Sequence, residues 1–207
     1  MSQFFTIHPD NPNLRLIHQA VAVLRNGGVV VYPTDSCYAL GCHLNDQDAV
    51  ARIRQIRKLD QHHHLTLMCR DLSEISRYAQ VDNVQFRLLK SNTPGSYTFI
   101  LEASKEVPKR LQHPKRSTIG MRIPDHPVAL ALLEELGEPL LSTTLILPEQ
   151  EFPLNDPAQI RELLEKKVEL VIDGGAVGVE FTTVIDLTGD TPILVRRGKG
   201  DVAPFGI

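Results

Sequence analysis

Apolar side chains at Leu14, Ile17, Val21 and Leu24 follow Asn11-Pro12 and stop at Gly27-Gly28. That stripe lies on one face of an amphipathic helix, and the glycine pair supplies its stop. Val29-Val30-Val31-Tyr32 comes next, apolar on both faces as a doubly covered central strand would be, and Pro33 ends it and opens a loop. Asp46 begins a second helix with Val50, Ile53 and Ile56 inward and Arg52, Arg54, Arg57 and Lys58 on its other faces. Residues 65–69 read as a strand. Asp71-Leu72-Ser73-Glu74 has the spacing of a capping box before a short helix, and another helix runs from Asp82 to about Lys90. Strands then dominate, at 97–101, 118–122, 140–144, 168–172, 183–187 and 193–197, separated by helices at 127–136 and 156–166. No repeat, low-complexity tract or Ser/Gly linker interrupts this alternation. It predicts one α/β domain over residues 1–207, built on a mixed sheet.

Composition agrees. At roughly 100 to 200 residues per domain, a chain of 207 residues suits one domain or two small ones. Hydrophobic residues make up 42% and charged residues 23%, which excludes a disordered chain. The longest uncharged apolar run, 27–34, is far shorter than the roughly 20 residues of a membrane span, so no membrane association is expected. Met1 to Phe5 carry neither a basic leader nor an apolar h-region, and the expected location is the cytoplasm. Cys37, Cys42 and Cys69 cannot all pair, and reduced thiols are expected.

Charge is distributed unevenly. The net value is −3, yet residues 105–116 hold Lys105, Lys109, Arg110, Lys115 and Arg116 against Glu106 alone, leaving −7 for the rest. Such a cluster is either a solvated face or a set of RNA phosphate contacts. Aromatic content of 5% with no Trp poorly supplies a surface that works by stacking bases.

Several common chemistries are missing. Gly198-Lys199-Gly200 lacks the upstream glycine and the hydroxyl of a phosphate loop, and neither a dinucleotide fingerprint nor a Gly-x-Ser-x-Gly elbow is present. Cys37-x4-Cys42-His43 and the run His62-His63-His64 match no common metal spacing, so no metal site is assigned. Buried thiols and wet-loop histidines are the expected outcome there. What remains lies at strand ends: Thr34 and Ser36, Arg122, the cluster Ser142-Thr143-Thr144, Thr182-Thr183, and Arg196-Arg197. These suit either ordinary strand-edge polarity or a crevice that holds an anion, such as a nucleotide phosphate, by side chains.

Tyr32-Pro33-Thr34-Asp35-Ser36-Cys37-Tyr38-Ala39-Leu40-Gly41 resembles the Tyr-Pro-Thr-Asp/Glu-Thr-x-Tyr-Gly-Leu-Gly signature of the YrdC-like family. Further blocks resemble the same family: residues 94–101, Thr118 to Pro124, Asp173-Gly174-Gly175, Thr182 to Asp186 and Arg196-Arg197-Gly198. His8-Pro9-Asp10-Asn11-Pro12 and the stretch 66–72 look closest to its YciO branch. The resemblance implies an α/β fold, a twisted mixed parallel and antiparallel sheet flanked by helices, with a concave basic face. On that face relatives bind ATP, L-threonine and double-stranded RNA. Active relatives are threonylcarbamoyl-AMP synthases, which join L-threonine, bicarbonate and ATP into threonylcarbamoyl-adenylate and release pyrophosphate, with Mg²⁺ accompanying the ATP.

Carried over by motif position, Thr34 and Arg122 fall in the threonine and carbamate pocket, and Ser142, Thr183 and Arg196 at the adenylate or phosphates. Ser36, Tyr38, Lys58 and Thr118 complete the implied binding set, Arg57, Arg122 and Thr144 are the implied catalytic positions, and residues 105–116 the implied RNA contacts. Two motifs depart from the family. Its Lys-x-Arg falls on Arg57-Lys58-Leu59, and its Ser-x-Asn places Thr144 at the serine and Ile146 at the asparagine. A guanidinium and an amide are lost, so the expectation is a synthase of weak or altered activity. The alternative is a non-catalytic RNA-binding or ribosome-associated protein.

Overall fold

Asn13 starts the first helix. In the computed structural model, which describes residues 1–60 and 63–207, α1 (Leu14–Arg25) is capped by the Asn13 side chain, which accepts from the Arg15 and Leu16 amides. With the cap there rather than at Asn11-Pro12, Leu14 lies in the first turn and stays 67% exposed. The buried stripe is instead Ile17, Ala20, Val21 and Leu24.

The remaining elements follow the predicted order. They are β1 (Gln3–Thr6), β2 (Val30–Tyr32), β3 (Ala39–His43), α2 (Gln47–Arg57), β4 (Thr66–Met68), α3 (Leu72–Tyr78), β5 (Ala79–Gln80), α4 (Asn83–Asn92), β6 (Tyr97–Ala103), β7 (Thr118–Arg122), α5 (Pro127–Leu136), β8 (Leu140–Thr144), α6 (Pro157–Leu164), β9 (Leu170–Asp173), β10 (Thr183–Asp186) and β11 (Ile193–Arg196). Three strands, β1, β3 and β5, are additions to the sequence reading. The capping box at 71–74 is half formed: Asp71 accepts from the Glu74 amide, but the Glu74 carboxylate turns to the Arg70 amide. A reciprocal box forms at Asp82 and Gln85.

All the strands join one mixed sheet in the order β1-β9-β2-β3-β8-β4-β7-β6-β10-β11, with β5 on β6. Pairs β1/β9, β2/β9, β4/β7 and β6/β10 are parallel and the rest antiparallel. Side chains alternate across it. One face carries Val31, Leu40, Leu67, Phe99, Leu101, Met121, Leu141 and Ile185, which pack with Ile53, Ile75, Leu89 and Ile160 of α2, α3, α4 and α6. On the opposite face α1 and α5 cover Val30, Tyr32, Ala39, Met68, Leu140, Leu170 and Ile172. Beyond that cover the same register positions become Ser142, Thr144, Thr66, Gly120, Thr98 and Thr182. No described helix packs there, and the sheet forms the floor of a cleft. Among the described residues, no helix is long and apolar enough to cross a membrane.

Candidate functional site

The cleft measures about 550 Å³, within the size range of small-molecule sites. Its floor comes from β8, β4, β7, β6 and β10, and its walls from the loop after β2, the end of α2, His63 and His64, and Phe181 to Arg196. Gly120 sits at the pinch of the floor, where a Cβ would stand 3.2 Å from both Thr66 Oγ1 and Thr98 Cγ2.

The loop after β2 is fixed by one hydroxyl. Thr34 Oγ1 donates to the Cys37 carbonyl at 2.6 Å and accepts from the Ser36 and Cys37 amides. This self-bonded turn presents Asp35 to Arg122, whose guanidinium donates to Asp35 Oδ1 at 2.5 Å and to Ser36 Oγ at 3.1 Å. Both charges are largely buried, with side chains 7% and 11% exposed. Ser96 Oγ and the Asp125 amide also donate to the Asp35 carboxylate. Burial acts to raise the Asp35 carboxyl, but the Arg122 charge and these donors outweigh it and hold it below its usual value. The Lys199 ammonium reaches the Asp35 carbonyl from the segment that follows the strand ending at Arg196.

Two other guanidiniums behave differently. Arg57 donates to the Ile146 carbonyl, and its Nε is buried without a partner. Burial pulls its pKa down. Arg196 donates to the Thr182 carbonyl and hydroxyl and lies 5.0 Å over the Phe181 ring. Neither touches a carboxylate among the described residues, and the cleft lining carries no Asp or Glu. Two uncompensated cations in a hydroxyl-lined cleft are chemically suited to phosphate or carboxylate.

The structure brings Thr34, Arg57, Arg122, Ser142, Thr144 and Arg196 to the cleft lining. Ser142 is occupied, donating to the Leu40 carbonyl and bonding the Tyr32 hydroxyl at 2.7 Å. Five expected residues are elsewhere. Thr183 is fully buried on the core side, donating to the Gly200 carbonyl and accepting from the Gly198 amide, because strand alternation turns Thr182 to the cleft instead. Tyr38 shares the Leu40 side of the sheet, and its hydroxyl pins Gly174 and Gly175; burial pushes it up to about 12. Lys58 ends α2 in a left-handed conformation and faces a separate surface with Gln55 and Lys166. Thr118 is buried outside the cleft lining, its hydroxyl unpartnered. Ser36 stands behind Arg122 rather than in the lining.

The basic stretch also divides. Lys105, Lys109 and Lys115 stand exposed, whereas Arg110 donates to the Leu44 carbonyl and Arg116 faces Asp186 at 3.9 Å. Sequence reasoning missed Phe181, Thr98, Thr66 and the two cleft histidines. His62 lies outside the described residues; His63 and His64, expected merely in a wet loop, are exposed on the cleft wall, with His64 stacked on His113 at 4.8 Å. Cys37, Cys42 and Cys69 are buried free thiols. Among the described residues no group of three or more His, Cys, Asp or Glu is placed to hold a metal ion.

Residues 22–198 match the Sua5/YciO/YrdC family model, whose description reads "Telomere recombination". The chain is 63% identical to YciO of Escherichia coli (strain K12), over 99% of this chain and all of that one. It superposes on the E. coli YciO crystal structure with a TM-score of 0.96 at the same coverage. It is 31% identical to the threonylcarbamoyl-AMP synthase of Halorhodospira halophila, over 82% of this chain and 88% of that protein. P. abyssi Sua5 complexed with L-threonine superposes with a TM-score of 0.87 at 26% identity, over 95% of this chain and 58% of Sua5.

Proposed function

Because the chain belongs to the Sua5/YciO/YrdC family, we propose that its cleft binds ATP and L-threonine and joins them with bicarbonate into threonylcarbamoyl-adenylate, more slowly than synthases with the complete motifs. One observation carries this reading: among the described residues, Arg57 and Arg196 turn to the cleft with carbonyl and hydroxyl partners, and no carboxylate lines it. A triphosphate and an amino-acid carboxylate supply the missing negative charge.

The reaction requires a carbamate oxygen to attack the α-phosphorus in line while pyrophosphate leaves. Both partners are anionic, so holding them together against their repulsion is most of the catalytic task. Arg57 and Arg196 reach in from opposite sequence regions to do that. Arg122, already neutralised by Asp35, is a rigid wall whose remaining polarity orients a small ligand. The lining offers no carboxylate cage for a divalent ion, so Mg²⁺ enters with the triphosphate as part of the substrate.

The low rate follows from the end of α2. Lys58 turns left-handed, and Leu59 packs against the core under the sheet. The second cation of the family pattern is therefore absent, and Ile146 contributes its carbonyl to Arg57 in place of an amide side chain. Each lost donor costs on the order of 10² in rate. Labelled bicarbonate, ATP and L-threonine should give slow threonylcarbamoyl-adenylate that disappears in Arg122→Ala and rises in Leu59→Arg/Ile146→Asn. No product from any of the three proteins would reject the reading.

RNA binding is a second reading, and it rests on exposed Lys105, Lys109 and Lys115. It requires affinity that falls steeply with salt. Absence of RNA binding at low salt would reject it.

A further inference from the structure

Carbamate formation consumes a base. An amino-acid ammonium carries no lone pair, so its nitrogen must lose a proton before it can attack bicarbonate carbon. In balance, R–NH₃⁺, HCO₃⁻ and a base give R–NH–COO⁻, water and the protonated base. Among the described residues lining the cleft there is no carboxylate to take that proton, and the titratable side chains other than arginine are His63, His64 and Cys37. Cys37 is 2% exposed and its Sγ lies 3.6 Å from Ser36 Oγ and 3.9 Å from Thr144 Oγ1. His64 is committed to its stack on His113, with Arg116 and Asp186 acting on it from beyond. His63 is exposed on the cleft wall next to the same helix end that supplies Arg57. Its backbone is held, the amide donating to the Asp60 carbonyl and the carbonyl accepting from Arg54.

We propose that His63 is the general base that takes the proton from the substrate ammonium as the carbamate forms. This rests on the synthase reading above and deepens it. The nitrogen lone pair released by that transfer forms the N–C bond, a bicarbonate oxygen leaves as water, and the imidazolium later returns its proton to solvent. The surroundings keep the ring neutral. Partial burial of the ring first, then the Arg57 and Arg54 charges of α2 and a smaller contribution from His64, hold its pKa below the usual histidine value, while Asp60 opposes them. A neutral imidazole at physiological pH is a competent acceptor.

Product formation by the unaltered protein should fall as pH drops through this lowered pKa, because the protonated ring cannot accept. His63→Ala should lower kcat about 10²-fold, a usual cost for losing a general base, with ATP binding by calorimetry unchanged. It should also lose the acid limb of the pH profile, and added imidazole should restore part of the rate. Unchanged kcat and acid limb in His63→Ala would overturn the assignment while leaving the synthase reading intact. Loss of ATP binding together with activity, without imidazole rescue, would make the residue structural and overturn it too. No product from the unaltered protein would overturn both.

Discussion

One sheet face serves two purposes. Over β9, β2 and β3 it presents Val30, Tyr32, Ala39, Leu170 and Ile172 to α1 and α5; over β7, β6 and the start of β10 it turns Gly120, Thr98 and Thr182 to the cleft. Backbone pairing is continuous between them, so the difference is entirely in side chains. The apolar half gains its stability from burial. The polar half has no helix to bury against, and its hydroxyls bond one another, as Thr98 does Thr182 at 2.8 Å, while its arginines take carbonyls. A fold of this kind stabilises one end of a face and leaves the other end for a ligand. The joint is the Asp35 and Arg122 pair, with the Tyr32 hydroxyl reaching Ser142 beside it.

Attacking the joint should have the largest effect. Asp35→Asn leaves a buried guanidinium without its counter-charge and should destabilise the protein by about 3 to 5 kcal/mol in denaturant unfolding. The pH sign follows from the lowered Asp35 pKa: its contribution is present at neutral pH and is lost as acid protonates the carboxyl, below the ordinary carboxylate range near 4. Asp35→Asn should flatten that acid limb, and an unchanged limb would remove Asp35 from the joint. Within the covered half, Leu132→Ala truncates a fully buried α5 side chain and should cost about 2 to 5 kcal/mol, with ATP affinity of the folded fraction unaltered. Arg57→Ala in the open half should do the reverse. Losing a charged hydrogen bond to the ligand is worth roughly 1.5 to 3 kcal/mol, about ten- to a hundred-fold in calorimetric ATP affinity, with little change in unfolding midpoint. A larger shift in stability than in affinity would break the division between the halves. Smallest is Tyr32→Phe, which deletes one hydrogen bond on the boundary and should cost about 1 kcal/mol.

Elements with strong periodicity were legible in the sequence. The α5 helix and strands β7 and β8 sit where apolar spacing and turn residues place them. Strand β3 was not, because its residues are chosen by neighbours rather than by strand propensity: Gly41 leaves room for the Tyr32 ring, 2.8 Å from where a Cβ would be. The site was legible by residue type and less so by direction. Thr182 and Thr183 are both hydroxyls at one strand start, and a single step of alternation decides which meets the cleft and which anchors Gly198 and Gly200. Tyr38 belongs to the recognisable motif yet holds the Gly174-Gly175 turn. His63 and Phe181 carry no local signal, since only tertiary packing brings them to the walls beside the floor formed by β8, β7 and β6.

The position of β10 between β6 and β11 has a consequence for synthesis. Until β10 has been made, Tyr97 to Ile100 of β6 have no parallel neighbour and offer an open, hydrogen-bonding edge beside the short pairing with β5. Arg196 and the Lys199 tether to Asp35 arrive with that same late segment. The cleft is therefore incomplete until β10 and β11 have been made, and the exposed β6 edge closes as the ligand site forms.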